Sequence, residues 1–461
     1  MSLQTILTTR RKFLERSALG AGGLLLSSSL LQSCMKDHNF PGPNTPPLLG
    51  DANMDWNEAV KKAVTTGLGM IPEAGEFIEP LVDIFWPNSG NSPWNQIKDQ
   101  VDQLINQKLN TLVFNQATGK LDSLKQNMLD YLQAIKSSTP AGINSQWITV
   151  TELFVNSESS FTTAGYEVML LPLYAQFVNM YLSILRDPLL PTKPGSGVLN
   201  GTSWGMTDAN ISDLRTRLQK YITGAHDYTT TWYNNGRTNV AKIERDDAKV
   251  EPFRSTNAYN RQMTMLVLDY MDSWTYYDVT AYPNGAPTAL FTREIYSDPY
   301  GNRVNVDRNT PAFALPSQAT QFPTQVVVWG NKDIGAVQLT YPAGGGPGGV
   351  TTTSRMGDNK SGNPNTFYPS ANEPILGVSV SYDYPGNYNL TMVINTLQFT
   401  LGYSGTTPIL SPQLGQKLGQ FRVNVGYDNY ALSSIYIDGV NESLGQYANC
   451  IVFGFKRFSR P

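Results

Sequence analysis

Residues 168–185 carry no charged side chain; their polar content includes Tyr174, Gln176, Asn179 and Ser183. The stretch begins after Glu167 and is closed by Arg186, Asp187 and Pro188. A helix that is apolar nearly all round cannot present a face to water. It must be wrapped by other helices or placed in lipid. The segments around it therefore decide what the chain can become.

Those segments are helical. Residues 76–86 read as a short apolar helix stopped by Pro87. Residues 94–137 place Val101, Leu104, Ile105, Leu109, Leu112, Val113, Ala117, Leu121, Leu124, Met128, Leu132 and Ile135 at steps of mostly three and four, the spacing of one helix face. Pro140 and Gly142 interrupt it. Residues 146–165 follow, with Trp147, Val150, Leu153, Phe154 and Phe161 on one side. Thr207 and Asp208 cap a helix defined by Ile211, Leu214, Leu218, Tyr221, Ala225, Tyr228 and Trp232. Tyr259, Met263, Leu266, Val267, Tyr270, Met271 and Trp274 define the last. Six or seven helices with one uniformly apolar member predict a bundle around a central helix. On pattern alone, a large all-α core and a pore former both fit.

After about residue 305 the period changes to that of strands: 326–329, 337–341, 378–382, 394–401, 421–425, 435–437 and 451–455. Short spacing and Gly-rich turns predict an all-β sandwich, barrel or prism. The fold class is thus multidomain α plus β, a helical bundle followed by an all-β domain. Residues 344–349 (Gly, Gly, Gly, Pro, Gly, Gly) read as a flexible loop. The loop lacks the lysine and Ser/Thr of a phosphate-binding loop, so nucleotide binding is rejected. Cys450 lies in an apolar strand and is expected to be a buried, inert thiol.

The chain holds two histidines and two cysteines. That supply is too small for a Ser-His-Asp or Cys-His plan, or for a zinc site of His and Cys ligands. An enzyme using carboxylates alone is the residual catalytic option, and the favoured expectation is no enzyme, metal or cofactor. A formal net charge of −3 gives no reason to expect a nucleic-acid partner.

The N-terminus carries Arg10 and Arg11, then a small apolar stretch over 18–31, then Leu31, Gln32, Ser33 and Cys34. This resembles a twin-arginine export signal ending in a lipoprotein processing box. The resemblance implies cleavage before Cys34, diacylation of its sulfur, and a chain exported and lipid-anchored at the bacterial outer membrane or released extracellularly. Residues 35–50, rich in Pro and Gly toward their end, read as a tether.

Further blocks resemble insecticidal crystal delta-endotoxins. Pro80-Leu81-Val82-Asp83-Ile84-Phe85-Trp86 is similar to the family's second helix. Residues 103–109, 115–117 and 121–124 are similar to its third. Leu171-Pro172-Leu173-Tyr174-Ala175-Gln176-Phe177-Val178-Asn179-Met180-Tyr181 and its continuation to Asp187 are similar to the central fifth. Residues 227–236 and 260–269 are similar to the sixth and seventh, and 290–299 to the block closing the first domain. The resemblance implies a seven-helix bundle that inserts a hairpin, here about 146–186 with Pro172 near the turn, into a target-cell membrane. It assigns Leu153, Phe154, Phe161, Leu170, Leu171, Leu173, Phe177, Val178, Asn179, Leu182 and Leu185 to insertion. Asn179 is either a core amide or a pore-lining or helix-helix contact in the membrane, while Glu152, Glu158 and Glu167 are expected to face water, hence a lumen. Only about 155 residues follow, room for one β domain where the family usually has two.

The β region more weakly resembles jacalin-type β-prism lectins, from Val328-Trp329-Gly330, 337–341 and 394–400. Ser433 stands where the lectins' sugar-binding Asp is expected, with Asp428 as a substitute. Gly345, Gly346, Tyr382, Tyr384, Tyr427, Asp428 and Tyr430 are the candidate receptor or glycan contacts, the tyrosines being expected on exposed turns. The expected organisation is a signal at 1–34, a tether at 35–50, a helical domain at 51–303 and a β-prism-like domain at 304–461. The function expected is a pore-forming toxin, its partners a target membrane, a glycan or protein receptor, and further copies in the pore. The alternative is a surface-anchored carbohydrate- or protein-binding lipoprotein with a toxin-like bundle as scaffold.

Overall fold

The computed structural model describes residues 56–69, 74–86, 111–190, 201–246, 252–286, 290–301, 318–357, 362–370, 373–383, 393–402, 409–415, 419–427, 429–442 and 445–458. They form two compact units. One holds residues up to 240 and 262–291, the other 241–261 and the chain from 292 onward.

The first unit is helical. Its described elements are α1 (Trp56–Gly69), α2 (Ile78–Phe85), α3 (Thr111–Ser137), α4 (Pro140–Phe161), α5 (Glu167–Arg186), α6 (Asp208–Asp246) and α7 (Pro252–Met263), the last two shared with the second unit. The chain continues from α7 through a π-helical turn (Thr264–Leu268), a short α segment (Asp269–Ser273) and a 3-10 turn (Trp274–Tyr277). α3 buries Val113, Ala117, Leu121, Leu124, Met128 and Leu132 at the predicted steps, whereas Leu112 falls off the face and is 64% exposed. The break before α4 is a start signal as much as a stop. Thr139 is extended and its hydroxyl accepts from the Gly142 amide at 3.3 Å, and Pro140 occupies the first turn, where no amide donor is needed. α4 thus begins earlier than the periodicity predicts. Of the two predicted caps of α6, Thr207 fills the role and Asp208 is the first helical residue: Thr207 Oγ1 accepts from Asn210 N at 3.2 Å, and Asn210 Oδ1 accepts from Thr207 N at 3.1 Å.

The turn between α4 and α5 contains Gly165 at φ +86°, whose amide donates to Glu167 Oε2 at 2.8 Å. Pro172 lies inside α5, not in this turn. Every residue of α5 from Leu170 to Arg186 is buried. Of the two environments open to an apolar helix, this fold uses the protein one.

The second unit contains three four-stranded antiparallel sheets, the arrangement of a β-prism. In one, β12 (Gly445–Arg457) lies between β1 (Glu294–Tyr296) and β11 (Tyr430–Glu442), with β2 (Tyr300–Gly301) also on β12. The second runs β5 (Met356–Gly357), β4 (Ile334–Thr340), β3 (Gln325–Gly330), β6 (Asn363–Phe367). The third runs β10 (Phe421–Gly426), β7 (Ile375–Asp383), β8 (Val393–Leu401), β9 (Ile409–Leu410). Alternation sends one side of each strand inward. Val328, Leu339, Val380, Leu397, Ile435 and Phe453 come from all three sheets and are buried. Cys450 is buried in β12.

The division between units falls between Phe291 and Thr292, upstream of residue 303. β1 already pairs with β12, Glu294 opposite Lys456 and Tyr296 opposite Gly454. A three-residue strand is too short to show a period of two, so the pattern switch marks the boundary late.

Candidate functional site in the helical hairpin

The hairpin formed by α4 and α5 is built from stacked rings. Phe154 stacks on Tyr181 at 5.1 Å between centroids, Phe161 on Phe177 at 4.6 Å, and Phe154 tilts against Phe177 at 5.4 Å. Of the residues assigned to insertion, Leu153 is half-buried; Phe154, Phe161, Leu170, Leu171, Leu173, Phe177, Val178, Asn179, Leu182 and Leu185 are buried. Burying one such side chain is worth about 1.5–3 kcal/mol, so the bundle holds the hairpin by many modest contacts.

Polar groups on α5 fix its register. Asn179 Nδ2 donates to Gln176 Oε1 at 2.9 Å, and Asn179 Oδ1 accepts from Trp274 Nε1 at 2.9 Å. Asn179 is therefore a core amide in this state. Trp147 Nε1 of α4 donates to the Ile184 carbonyl at 2.9 Å. Arg186 NH1 donates to the Gly67 carbonyl at 3.1 Å, with its guanidinium 5.5 Å from the Phe77 ring.

Asp187, just past α5, is 1% exposed. Its carboxylate accepts from the Gly75 amide at 2.9 Å and from Tyr131 Oη at 2.6 Å. Burial pushes its carboxyl up to about 6, against the pull of the Tyr131 and Gly75 hydrogen bonds and the Arg186 charge. Elsewhere in the core, Lys61 Nζ of α1 pairs with Asp269 Oδ2 at 3.0 Å, the two side chains 0% and 2% exposed.

The carboxylates expected to face water differ. Glu152 is exposed. Glu158 is half-buried against α6 and accepts from Tyr221 Oη at 3.1 Å. Glu167 belongs to the first turn of α5, where it favours the positive end of the helix.

The β-unit expectations are corrected. Gly345 and Gly346 are buried in a packed turn, not in an open loop. A Cβ on Gly346 would meet the Val350 carbonyl oxygen at 2.6 Å and the Tyr341 ring at 2.7 Å. Tyr382, Tyr427 and Tyr430 are buried rather than exposed. Tyr382 stacks on Phe421 at 5.4 Å, and Tyr427 meets Phe455 edge-on at 5.2 Å. Tyr384, Asp428 and Cys34 lie outside the described residues. Ser433, at the expected lectin position, is fully buried and donates to Glu294 Oε1. Ser434 donates to the same oxygen at 2.6 Å, and Tyr296 Oη to Oε2 at 2.7 Å. No local pattern announces this hub around Glu294, because Ser433 and Ser434 lie 139 and 140 residues after it.

The family described as delta endotoxin, N-terminal domain, matches residues 63–278. Pesticidal crystal protein Cry8Ba of Bacillus thuringiensis serovar kumamotoensis is 31% identical over 261 residues, 53% of this chain and 21% of that protein. Cry26Aa of Bacillus thuringiensis subsp. finitimus is 32% identical over 264 residues, 54% of this chain and 21% of that protein. The chain thus spans about a fifth of the length of these curated relatives. Among solved structures, the Bacillus thuringiensis insecticidal crystal protein Cry7Ca1 aligns with a TM-score of 0.70 at 18% identity, covering 87% of this chain and 75% of that one. PirB aligns with a TM-score of 0.66 at 16% identity, covering 88% of this chain and 95% of that one. At such identities the structural likeness concerns the fold. The sequence match and the buried central helix agree on the helical unit, whose residues 63–278 match the delta-endotoxin N-terminal domain family.

Proposed function

We propose that the chain is a pore-forming toxin in which the β unit docks on a target cell and the α4–α5 hairpin enters its membrane. The carrying observation is α5. Within the span Glu167–Leu189, an 18-residue window has a mean hydropathy of 1.6, and 89% of that window is buried inside the bundle. A helix satisfies its own backbone hydrogen bonds, and roughly 20 residues cross a bilayer core. In the soluble state the neighbouring helices hide this surface; in the membrane, lipid would replace them. The relatives' names, pesticidal and insecticidal crystal proteins, support the same reading. Release of carboxyfluorescein from liposomes by protein lacking residues 1–34 tests it. Leakage is expected, and intact liposomes at saturating protein would favour a scaffold for a surface-bound glycan- or protein-binding lipoprotein.

The pattern of Arg10, Arg11 and Cys34 favours export and lipid anchoring of this toxin. Fatty-acid labelling of the wild type that vanishes in Cys34→Ala is the expected result. Labelling that persists in the variant would remove the anchor from the account.

A further inference from the structure

A groove of about 850 Å³ opens between α4 and α6, floored by Tyr174 of α5. α4 contributes Glu158; α6 contributes Asp213, Arg217, Lys220, Tyr221 and Tyr228. Its volume is in the range of small-molecule sites. Tyr174 and Tyr228 are in ring contact, 4.6 Å between centroids. Tyr221 reaches across to Glu158 by its hydroxyl, at 3.1 Å. The Tyr228 hydroxyl oxygen is buried and has no hydrogen-bond partner among the described residues.

The two ends of the groove differ in chemistry. Around Glu158 there are three tyrosine rings and one carboxylate. Ring faces attract a cation, and a cation lacking N–H donors loses least by leaving water for such a site. Arg217 lies one turn back along α6 and Lys220 directly before Tyr221; together they supply two positive charges against the one negative charge of Asp213 a further turn back. Arg217 is held in place, 5.8 Å from the Tyr181 ring centroid and bonded to its hydroxyl, yet a guanidinium has further donors to offer. Arg217 and Tyr221 are four residues apart, about 6 Å along the helix axis. A ligand with a quaternary ammonium at one end and a phosphate a short link away matches both ends. On α4, Val155 at the rim is 50% exposed, and Ile148, seven residues before it, is 43% exposed. Such an apolar stripe suits the boundary of a lipid surface better than bulk water.

We infer that the groove between α4 and α6 binds the phosphocholine headgroup of a membrane lipid, the ammonium against Tyr174, Tyr221, Tyr228 and Glu158 and the phosphate against Arg217 and Lys220. This deepens the pore-forming reading by naming a lipid that the bundle recognises, and it places that recognition where the hairpin must part from α6. An occupied groove would put the headgroup layer beside α4 before the hairpin moves.

Titration calorimetry of the chain with soluble phosphocholine and with phosphoethanolamine tests the site. Saturable phosphocholine binding is expected, at least tenfold tighter than phosphoethanolamine. Glu158→Gln and the exposed, structurally safer Lys220→Ala should each weaken it about tenfold, with unchanged thermal melting. Phosphatidylcholine vesicles should compete with soluble phosphocholine, and phosphatidylglycerol vesicles should not. Absence of saturable binding, equal affinity for the two headgroups, or binding unchanged in Lys220→Ala overturns the proposal; failure of phosphatidylcholine vesicles to compete overturns its lipid source. Leakage that ignores choline lipid while phosphocholine does not bind would defeat this site and leave the pore reading standing. Choline-selective binding without leakage from any vesicle would do the reverse.

Discussion

The indole N–H of Trp274 donates to Oδ1 of Asn179 at 2.9 Å, joining the middle of the central helix to a residue 95 positions later in the chain. Asn179 in turn donates to Gln176, so the amide is satisfied on both sides. Asn179→Leu should leave the indole donor buried without its acceptor and lower unfolding free energy by about 1–3 kcal/mol. Trp274→Phe with Asn179→Leu should cost less than the two single changes added. Urea unfolding of the four proteins measures this coupling, and strict additivity would mean that the bond contributes nothing specific.

Lys61 and Asp269 form a pair withdrawn from water. Removing one partner strands the other's charge. Lys61→Met should destabilise the helical unit by about 3–5 kcal/mol, and adding Asp269→Leu should recover most of it. Denaturant midpoints for the single and double variants check the order.

Asp187 gives the fold a pH dependence of defined sign. Its carboxyl rises from an ordinary 3.8 to about 6 in the folded chain. The native state therefore holds the proton more tightly than the unfolded chain does. The resulting stability is fully present below about pH 4, falls as pH rises from 4 to 6, and is absent above, a step on the order of 3 kcal/mol. Asp187→Asn cannot ionise. Melting temperatures taken from pH 4 to 7 should show this downward step in the wild type and its loss in the variant.

Gly454 sits in β12 beneath the Glu294 hub. A Cβ there would meet Ser434 Oγ at 2.1 Å and Glu294 Oε1 at 2.6 Å. Gly454→Ala should displace those hydrogen bonds and cost about 1–3 kcal/mol in the β unit. Thermal unfolding followed by near-ultraviolet circular dichroism, which senses the neighbouring tyrosines, reads this directly.

The central helix was legible because absence of charge over 168–185 is a local property. Its surroundings were not. A sequence does not show that Trp274 reaches Asn179, or that Asp187 closes over Gly75 and Tyr131, since each partner lies far along the chain. Glu158 was misplaced by the rule that charge faces water. It lies four residues after Phe154 and three before Phe161, on the edge of the buried stripe, and Tyr221 covers it. Tyr382 and Tyr427 were misread for the opposite reason. Tyrosine beside Asp and Gly suggests a turn, but the rings fold inward against Phe421 and Phe455.

If the hairpin enters a membrane, it must first leave α6. Val155 of α4 and Gly224 of α6 line the same groove; Val155 is 50% exposed, and a side chain at Gly224 meets nothing within 4 Å. Cysteines placed at both positions and bridged by a reducible bifunctional thiol reagent would pin α4 to α6. The native Cys450 is buried in β12. A control with both thiols capped singly separates pinning from mere filling of the groove. Liposome leakage by the bridged protein should fall at least tenfold, return on reduction, and persist in the capped control. Bridged protein that permeabilises liposomes as fast as its reduced form would contradict insertion of the hairpin.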